Sequence, residues 1–389
     1  MNRKKVAIIL DELSVGGIPK AGISFMKQLT EYCEVTLVLR NETGEFMKQI
    51  PKRVNVKVLR SNNAAYGIKQ LLYSKRYVKA TVSGIKYFMV AYVSKRWVKA
   101  NVLSSYFNGY IDNDSYDIAI AYHGMSISQL TRVLFGINAK KKIAWIHGNH
   151  PFTGQHKEDA NKVYKMFDHI FCVSEATKEK FLKDFPDVMN NTEVYYNLFE
   201  VEEIVKKSQL YIPEEFNDTH INLVTVGRIS PEKGQEMIPN IMMTLLEFRE
   251  NIHWYIVGDG IDKNRVENMV RSAKLEDKIH FLGAKTNPYP YMLNADVYVQ
   301  PSYTEGHPLT IFEAAILGKV IVATDVGGTK EQLRPDKDVI LVKSDAEAIS
   351  CGIMRAIDNV ELINEITKNL SGRDFSNKKE VHKILNWIE

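Results

Sequence analysis

A-D-V-Y-V-Q-P-S-Y-T-E-G-H-P-L-T-I-F-E-A-A-I-L-G, residues 295–318, reads as one strand, one loop and one helix. D-V-Y-V-Q is short, apolar and β-branched and stops at Pro301; I-F-E-A-A-I-L has helical spacing and stops at Gly318. A buried strand followed by a helix is the repeating unit of a parallel sheet covered on both faces. The loop holds Glu305 and the helix holds Glu313, two carboxylates eight positions apart. Used as acid and nucleophile, such a pair would hydrolyse glycosidic bonds. Used to grip hydroxyl groups, it would flank a phosphate held at the helix start, where backbone N–H groups and the dipole favour anions.

The same alternation extends in both directions. I-N-L-V-T-V-G (221–227), H-W-Y-I-V-G (253–258), K-I-H-F-L-G (278–283), K-V-I-V-A-T (319–324) and D-V-I-L-V-K (338–343) read as strands with helices between them. K-V-A-I-I-L (5–10), V-T-L-V-L-R (35–40), V-N-V-K-V-L (54–59), D-I-A-I-A-Y-H (117–123), K-I-A-W-I-H (142–147), H-I-F-C-V-S (169–174) and E-V-Y-Y-N (193–197) form an earlier series. Between them the pattern weakens over 199–219, which reads as an interdomain connection. A chain of 389 residues exceeds what one core usually serves. The expected fold is α/β: two doubly wound, Rossmann-like domains, 1–200 and 201–375, facing across a cleft, with 376–389 a terminal helix packing back on the first. Ligands in such sheets bind outside the carboxyl ends of the strands.

Chemistry gathers at those ends. G-R-I-S-P-E-K-G (227–234) carries Arg228 and Lys233 on one loop, two cations suited to a pyrophosphate, or else ordinary solvated charges. Backbone N–H groups of Gly306, His307, Leu309 and Thr310, around Pro308, open the following helix, unless Thr304 or Glu305 simply caps it. Glu313, beside the small Ala314 and Ala315 that leave room at the surface, is placed for the diol of a ribose. Glu305 faces whatever is attached to the distal phosphate.

V-G-R-I-S-P-E-K-G, I-V-G-D-G, F-L-G, the quoted stretch and D-V-G-G-T-K-E, in this order over residues 221–334, resemble the nucleotide-binding half of glycosyltransferase family 4, the group 1 glycosyltransferases, retaining enzymes of GT-B fold. The resemblance implies that Glu313 holds ribose hydroxyls and Glu305 contacts the donor sugar. It puts Arg228 and Lys233 on the diphosphate, together with the loop and helix start from Gly306 to Thr310. L-S-V-G-G (13–17) is similar to the family's glycine loop, with Gly16 and Gly17 beside the donor phosphate, and A-W-I-H-G-N puts the family's histidine near the reacting sugar on His147. His307 stands where an aromatic or aliphatic residue is commoner and is expected to adjust specificity. The implied reaction is sugar transfer from a nucleotide-diphosphate donor, UDP favoured, without metal or other cofactor. A non-catalytic sugar-nucleotide-binding partner is the rival reading.

Other signals are set aside. D-N-D (112–114) reads as a turn before a strand, and His147, His150 and His156 lack a carboxylate or cysteine at metal-binding spacing. His123 ends a strand and faces either the acceptor side or the core. Three dispersed cysteines fit a reducing compartment. The first apolar run ends at Asp11-Glu12, too short for an export signal.

The net charge of +4 hides an uneven distribution: residues 46–111 contain thirteen Lys or Arg and no acidic residue, so the rest of the chain carries −9. That segment also holds eleven of the 39 aromatic residues. Helices are expected within 66–110, with Lys75, Arg76, Lys79, Lys95, Arg96, Trp97 and Lys99 facing an anionic membrane, or forming a solvated face over core aromatics. Nucleic acid is disfavoured by the acidic remainder. The expected location is cytoplasmic, peripheral on the inner face of the cell membrane, with a lipid-linked or glycan acceptor.

Overall fold

β1 (Lys5–Leu10) and β2 (Glu34–Leu39) each bury five of six residues, as strands covered on both faces must. The computed structural model to which they belong describes residues 3–58, 112–148 and 152–388. Lys75, Arg76, Lys79, Lys95, Arg96, Trp97 and Lys99, the helices expected over 66–110, and His150 lie outside the described residues. Among the described residues no helix is long and apolar enough to cross a membrane.

The chain divides into two units. Unit 1 comprises Met1–Leu198 together with Lys378–Glu389, and unit 2 comprises Phe199–Asn377. In unit 1, β1 and β2 are joined by β3 (Asn55–Val58), β4 (Asp112–Ala121), β5 (Ile137–Ile146), β6 (His169–Cys172) and β7 (Thr192–Val194). They form one parallel sheet in the order β3-β2-β1-β4-β5-β6-β7. Unit 2 contains β8 (Ile221–Val226), β9 (Ile252–Val257), β10 (Ile279–Gly283), β11 (Val297–Gln300), β12 (Val320–Thr324) and β13 (Ile340–Val342). Its order is β10-β9-β8-β11-β12-β13, again all parallel. Both sheets are therefore doubly wound. The chain reverses its direction of winding between β1 and β4 in one unit and between β8 and β11 in the other, the switch points where such folds bind ligands.

Helical spacing decides what each helix buries. Gly17–Leu29 turns Ala21, Gly22, Phe25, Met26 and Leu29 inward. A Cβ at Gly22 would stand 3.3 Å from the Tyr122 ring, so the small residue sets how closely helix and sheet approach. The last helix, Val381–Leu385, adds Val381, Ile384 and the following Ile388 to the core of unit 1. It is pinned there by Lys383 Nζ to the Val194 carbonyl at 2.7 Å, by the Tyr196 N–H to Glu380 Oε2 at 3.1 Å, and by Lys4 Nζ to the Ile388 carbonyl at 2.9 Å.

Two local expectations are corrected. Residues 199–219 are not a plain connection: Val201–Ser208 is a helix that buries Ile204 and Ser208 within unit 2. D-N-D does not precede a strand as a turn, because β4 begins at Asp112; the pairing with β5 shifts register between Asp112 and Ser115, and Asp114 meets Lys57 at 2.6 Å.

Candidate active site

β8 and β11 are neighbours at the switch point of unit 2, and the loops leaving their carboxyl ends carry Arg228, Lys233 and Glu305. Backbone hydrogen bonds tie these loops together. The N–H groups of Tyr303 and Thr304 reach the Glu232 carbonyl at 2.9 and 3.3 Å, and the Gly328 N–H, after β12, reaches the Gly306 carbonyl at 3.0 Å. Gly234 closes the first loop with φ +67, and a Cβ there would lie 2.0 Å from the Pro301 carbonyl oxygen. Only glycine permits that turn and that approach.

Glu305 is the centre of the arrangement. Its Oε1 accepts from Lys233 Nζ at 2.7 Å, Ser302 Oγ at 2.7 Å and Gln300 Nε2 at 3.0 Å, while Oε2 accepts from Lys233 at 2.8 Å. The side chains of Lys233 and Glu305 are 21% and 7% exposed, so the pair is shielded and its charge-assisted bonds are strong. Lys233 is thus paired with a carboxylate rather than standing as a solvated loop charge. Arg228 is exposed, and among the described residues it has no ion-pair partner; its carbonyl accepts from Gln235 Nε2 at 2.9 Å. Burial opposes ionisation of the neighbouring Glu232, but the Ser230 hydroxyl, a backbone N–H, Arg228 and Lys233 outweigh it and hold that carboxyl below its ordinary value.

The helix Leu309–Ile316 starts with Pro308 at its N-cap, and no side chain caps it. The alternative in which Thr304 or Glu305 caps it is thus not realised. Its first turn contains no acidic residue, which leaves the positive end of its dipole uncompensated locally. Thr310 Oγ1 turns back to Gln300 Oε1 at 3.4 Å. Glu313 is not at an open surface as expected but is 2% exposed. Ala314 and Ala315 pack into the core beside it, and the Tyr289 hydroxyl, from the helix Tyr289–Asn294, lies 3.5 Å from Glu313 Oε1. Burial first, then the charges of Glu313 and Glu203, pushes the Tyr289 phenol well above its usual range, so it stays protonated and donates.

The His307 side chain is turned inward. It is buried, stacks on Phe312 with ring centres 4.3 Å apart, and meets Gln332 Oε1 at 2.7 Å. Gln332 Nε2 donates to Asn377 Oδ1, which turns Oε1 toward the ring and assigns the proton to His307 Nε2. Burial lowers its pKa to about 4 against the opposing bond to Gln332, so the ring is neutral at physiological pH.

In unit 1, Gly16 is the N-cap of Gly17–Leu29, again with no side-chain cap. Its loop is fixed by the Val15 N–H to Glu45 Oε2 at 3.0 Å and by Ser14 Oγ to Glu12 Oε1 at 2.8 Å. Asp11, at the end of β1, receives Arg132 Nη1 at 2.7 Å and Gln129 Nε2 at 3.0 Å. Burial works against its ionisation, yet Gln129 and Arg132 hold the carboxyl below its ordinary value. His147 follows β5, half-buried, with its ring 4.8 Å from that of Tyr122 and 6.4 Å from that of Trp145. His123 donates its backbone N–H to Gln129 Oε1 at 3.1 Å. Among the described residues no group of three or more His, Cys, Asp or Glu is arranged to hold a metal.

Residues 208–372, nearly the whole of unit 2, match the family described as glycosyl transferases group 1. Unit 2 is a group 1 glycosyltransferase domain. An uncharacterized glycosyltransferase of Methanocaldococcus jannaschii is 24% identical over 242 residues, 57% of this chain and 59% of the relative. A phosphatidylinositol N-acetylglucosaminyltransferase component of Arabidopsis thaliana is 27% identical over 169 residues, 41% of this chain and 38% of the relative. The chain thus spans less than two thirds of either relative's length. The crystal structure of Anabaena HepE in complex with UDP and glucose superposes with a TM-score of 0.72 at 17% identity, covering 98% of both chains. At that identity the likeness establishes the fold, two Rossmann-like domains of GT-B type, carried by a group 1 glycosyltransferase domain and the unit that precedes it.

Several residues of the glycosyltransferase domain that organise the site escaped sequence reasoning. Gln300, Ser302 and Tyr298 lie in or just past β11, where alternation reads them as strand residues; Gln300 is 2% exposed. A buried polar pair, Q-P-S, at a strand end was the available signal, because buried amides and hydroxyls require partners. Gly327 was visible only as half of a Gly-Gly pair, yet at φ +62 it lies against Glu305, where a Cβ would stand 2.2 Å from the Glu305 carbonyl oxygen.

Proposed function

We propose that this chain is a retaining glycosyltransferase that moves a sugar from a nucleotide-diphosphate donor, UDP favoured, to a lipid-linked glycan or glycolipid acceptor in cell-surface polysaccharide or teichoic-acid assembly. The observation that carries the reading is the meeting of Lys233 and Glu305 at the β8–β11 switch point, in one hydrogen-bonded group with the uncapped helix start at Leu309. In this reading Arg228, Lys233 and the N–H groups from Gly306 to Thr310 take the negative charge that grows on the departing diphosphate, an electrostatic role needing no metal. Glu313 holds the ribose, Glu305 the donor sugar. Gly16, Gly17 and His147 are assigned to the same reaction by resemblance, and a leaving phosphate oxygen accepts the acceptor proton on the same face. The neutral, inward-turned His307 supports the loop from behind. The Arabidopsis relative is named for a lipid, phosphatidylinositol, which favours docking of the basic segment on the cytoplasmic face of a membrane.

The test is thermal shift against UDP, GDP and ADP, followed by mass spectrometry and NMR of products from the matching sugar donors, with and without EDTA. Retained anomeric configuration and undiminished turnover in EDTA are expected; inversion or loss of activity overturns the corresponding part. Binding without turnover of any donor favours the catalytically inactive partner instead. Replacing Lys75, Arg76, Lys95 and Arg96 by Ser should release the protein from anionic vesicles, and unchanged flotation rejects membrane docking.

A further inference from the structure

The carboxylate of Glu305 is asymmetrically occupied. Oε1 accepts three hydrogen bonds, from Lys233, Ser302 and Gln300, whereas Oε2 accepts one, from Lys233. A carboxylate oxygen offers about two lone-pair sites, so Oε1 is saturated and Oε2 retains room for one more donor. Gln300 decides which oxygen is which. Its Nε2 gives its two hydrogens to Ser302 Oγ at 3.0 Å and Glu305 Oε1 at 3.0 Å. Its Oε1 accepts from the Tyr298 hydroxyl at 2.6 Å and the Thr310 hydroxyl at 3.4 Å. All four bonding positions of the amide are filled, and flipping it would set its oxygen against the Glu305 carboxylate, whereas the Tyr298 and Thr310 hydroxyls can serve either orientation. Gln300, Tyr298 and Ser302 are 2%, 0% and 0% exposed, so no water competes for these bonds.

We infer that Gln300 is a positioning residue: it locks Glu305 with Oε2 outward, and Oε2 is the oxygen that accepts a hydroxyl of the donor sugar. The inference rests on the nucleotide-sugar reading of the site and adds to it the atom that contacts sugar and the buried amide that aims it. Through Thr310, the same amide joins the sugar-facing carboxylate to the first turn of the helix proposed to hold the diphosphate. Gln300 touches no ligand itself, so removing its hydrogen bonds should cost the sugar's contribution to binding and leave the nucleotide's contribution intact.

Gln300→Met tests this, since methionine nearly matches the volume without the amide, and the Tyr298 hydroxyl keeps the Val226 carbonyl at 3.3 Å as a partner. Calorimetry would measure UDP, UDP-glucose, UDP-galactose and UDP-N-acetylglucosamine on wild type and variant. The expected result is that at least one UDP-sugar binds wild type more tightly than UDP. In Gln300→Met this advantage falls roughly 10- to 100-fold, the worth of a hydrogen bond to a charged group, while UDP affinity stays within about twofold. Tyr298→Phe, one bond further away, should show a smaller loss of the same kind. Gln300→Glu sets a second carboxyl against Glu305, and its advantage should return as the pH falls and the two share a proton; no recovery would contradict a hydrogen bond from position 300 as what aims Glu305. If wild type binds UDP but no UDP-sugar more tightly, or if Gln300→Met keeps the full advantage, the positioning role is wrong while the nucleotide site stands. If wild type binds no UDP, the donor reading itself falls and takes this inference with it.

Discussion

Replacing His307 by Phe probes a buried neutral imidazole whose effect can be calculated. The ring stacks on Phe312 at 4.3 Å, which phenylalanine can retain, and its bond to Gln332 is lost. Burial takes the folded-state pKa from an ordinary 6.5 to about 4. The folded protein therefore binds this proton less readily than the unfolded chain. The resulting stabilisation is fully present above pH 6.5, declines as the pH falls, and is gone once the pH passes below about 4. A tenfold gap in proton affinity is about 1.4 kcal/mol, so the whole effect is roughly 3 kcal/mol. Urea unfolding of wild type and His307→Phe should be compared at pH 7, 5.5 and 4, with unfolding of unit 2 read from deuterium uptake in peptides spanning 309–316. The stability of wild type relative to the variant should drop by about 3 kcal/mol across that range, most of it below pH 6. A difference that stays constant within about 1 kcal/mol would show that the ring is not held neutral by burial, and the inward placement of His307 would be wrong.

Glu313→Ala should weaken UDP binding, whereas Glu305→Ala should chiefly reduce sugar transfer; calorimetry and turnover on both variants separate the two, and unchanged nucleotide affinity in Glu313→Ala contradicts its ribose role. Gly327→Ala introduces a methyl 2.2 Å from the Glu305 carbonyl at a left-handed φ, and should cost at least about 1 kcal/mol in thermal stability and lower turnover by displacing Glu305. Deleting residues 378–389 removes Val381, Ile384 and Ile388 from the core of unit 1, each contributing about 1.5–3 kcal/mol by burial. Hydrogen exchange should show unit 1 losing protection while unit 2 keeps it.

The alternation that marks both sheets is legible because a strand covered on two faces has no polar side to hide, so K-V-A-I-I-L or I-N-L-V-T-V can be read alone. The glycosyltransferase motif is equally local: Glu305 and Glu313 stand eight residues apart in one strand–loop–helix unit. What stayed hidden depends on distant partners. Lys233 and Glu305 are 72 positions apart, and their pairing follows from β8 and β11 being neighbours. Glu313 is buried by its packing beside Tyr289, 24 positions earlier on another helix. His307 looks like a loop residue until Gln332 and Phe312 enclose it. D-N-D resembles a turn because three polar residues in a row conceal a strand start whose register is irregular.

The placement of Val381–Leu385 in the first core has a consequence for synthesis. In sequence, unit 2 interrupts unit 1, and its own two ends are held together by the Phe199 N–H to the Ser376 carbonyl at 3.0 Å. On the ribosome, the half that emerges first lacks three of its own apolar side chains until about 180 further residues have been made. The domain translated second can therefore close before its predecessor is complete, and a nascent chain stalled near residue 377 would expose the seat that the missing helix fills.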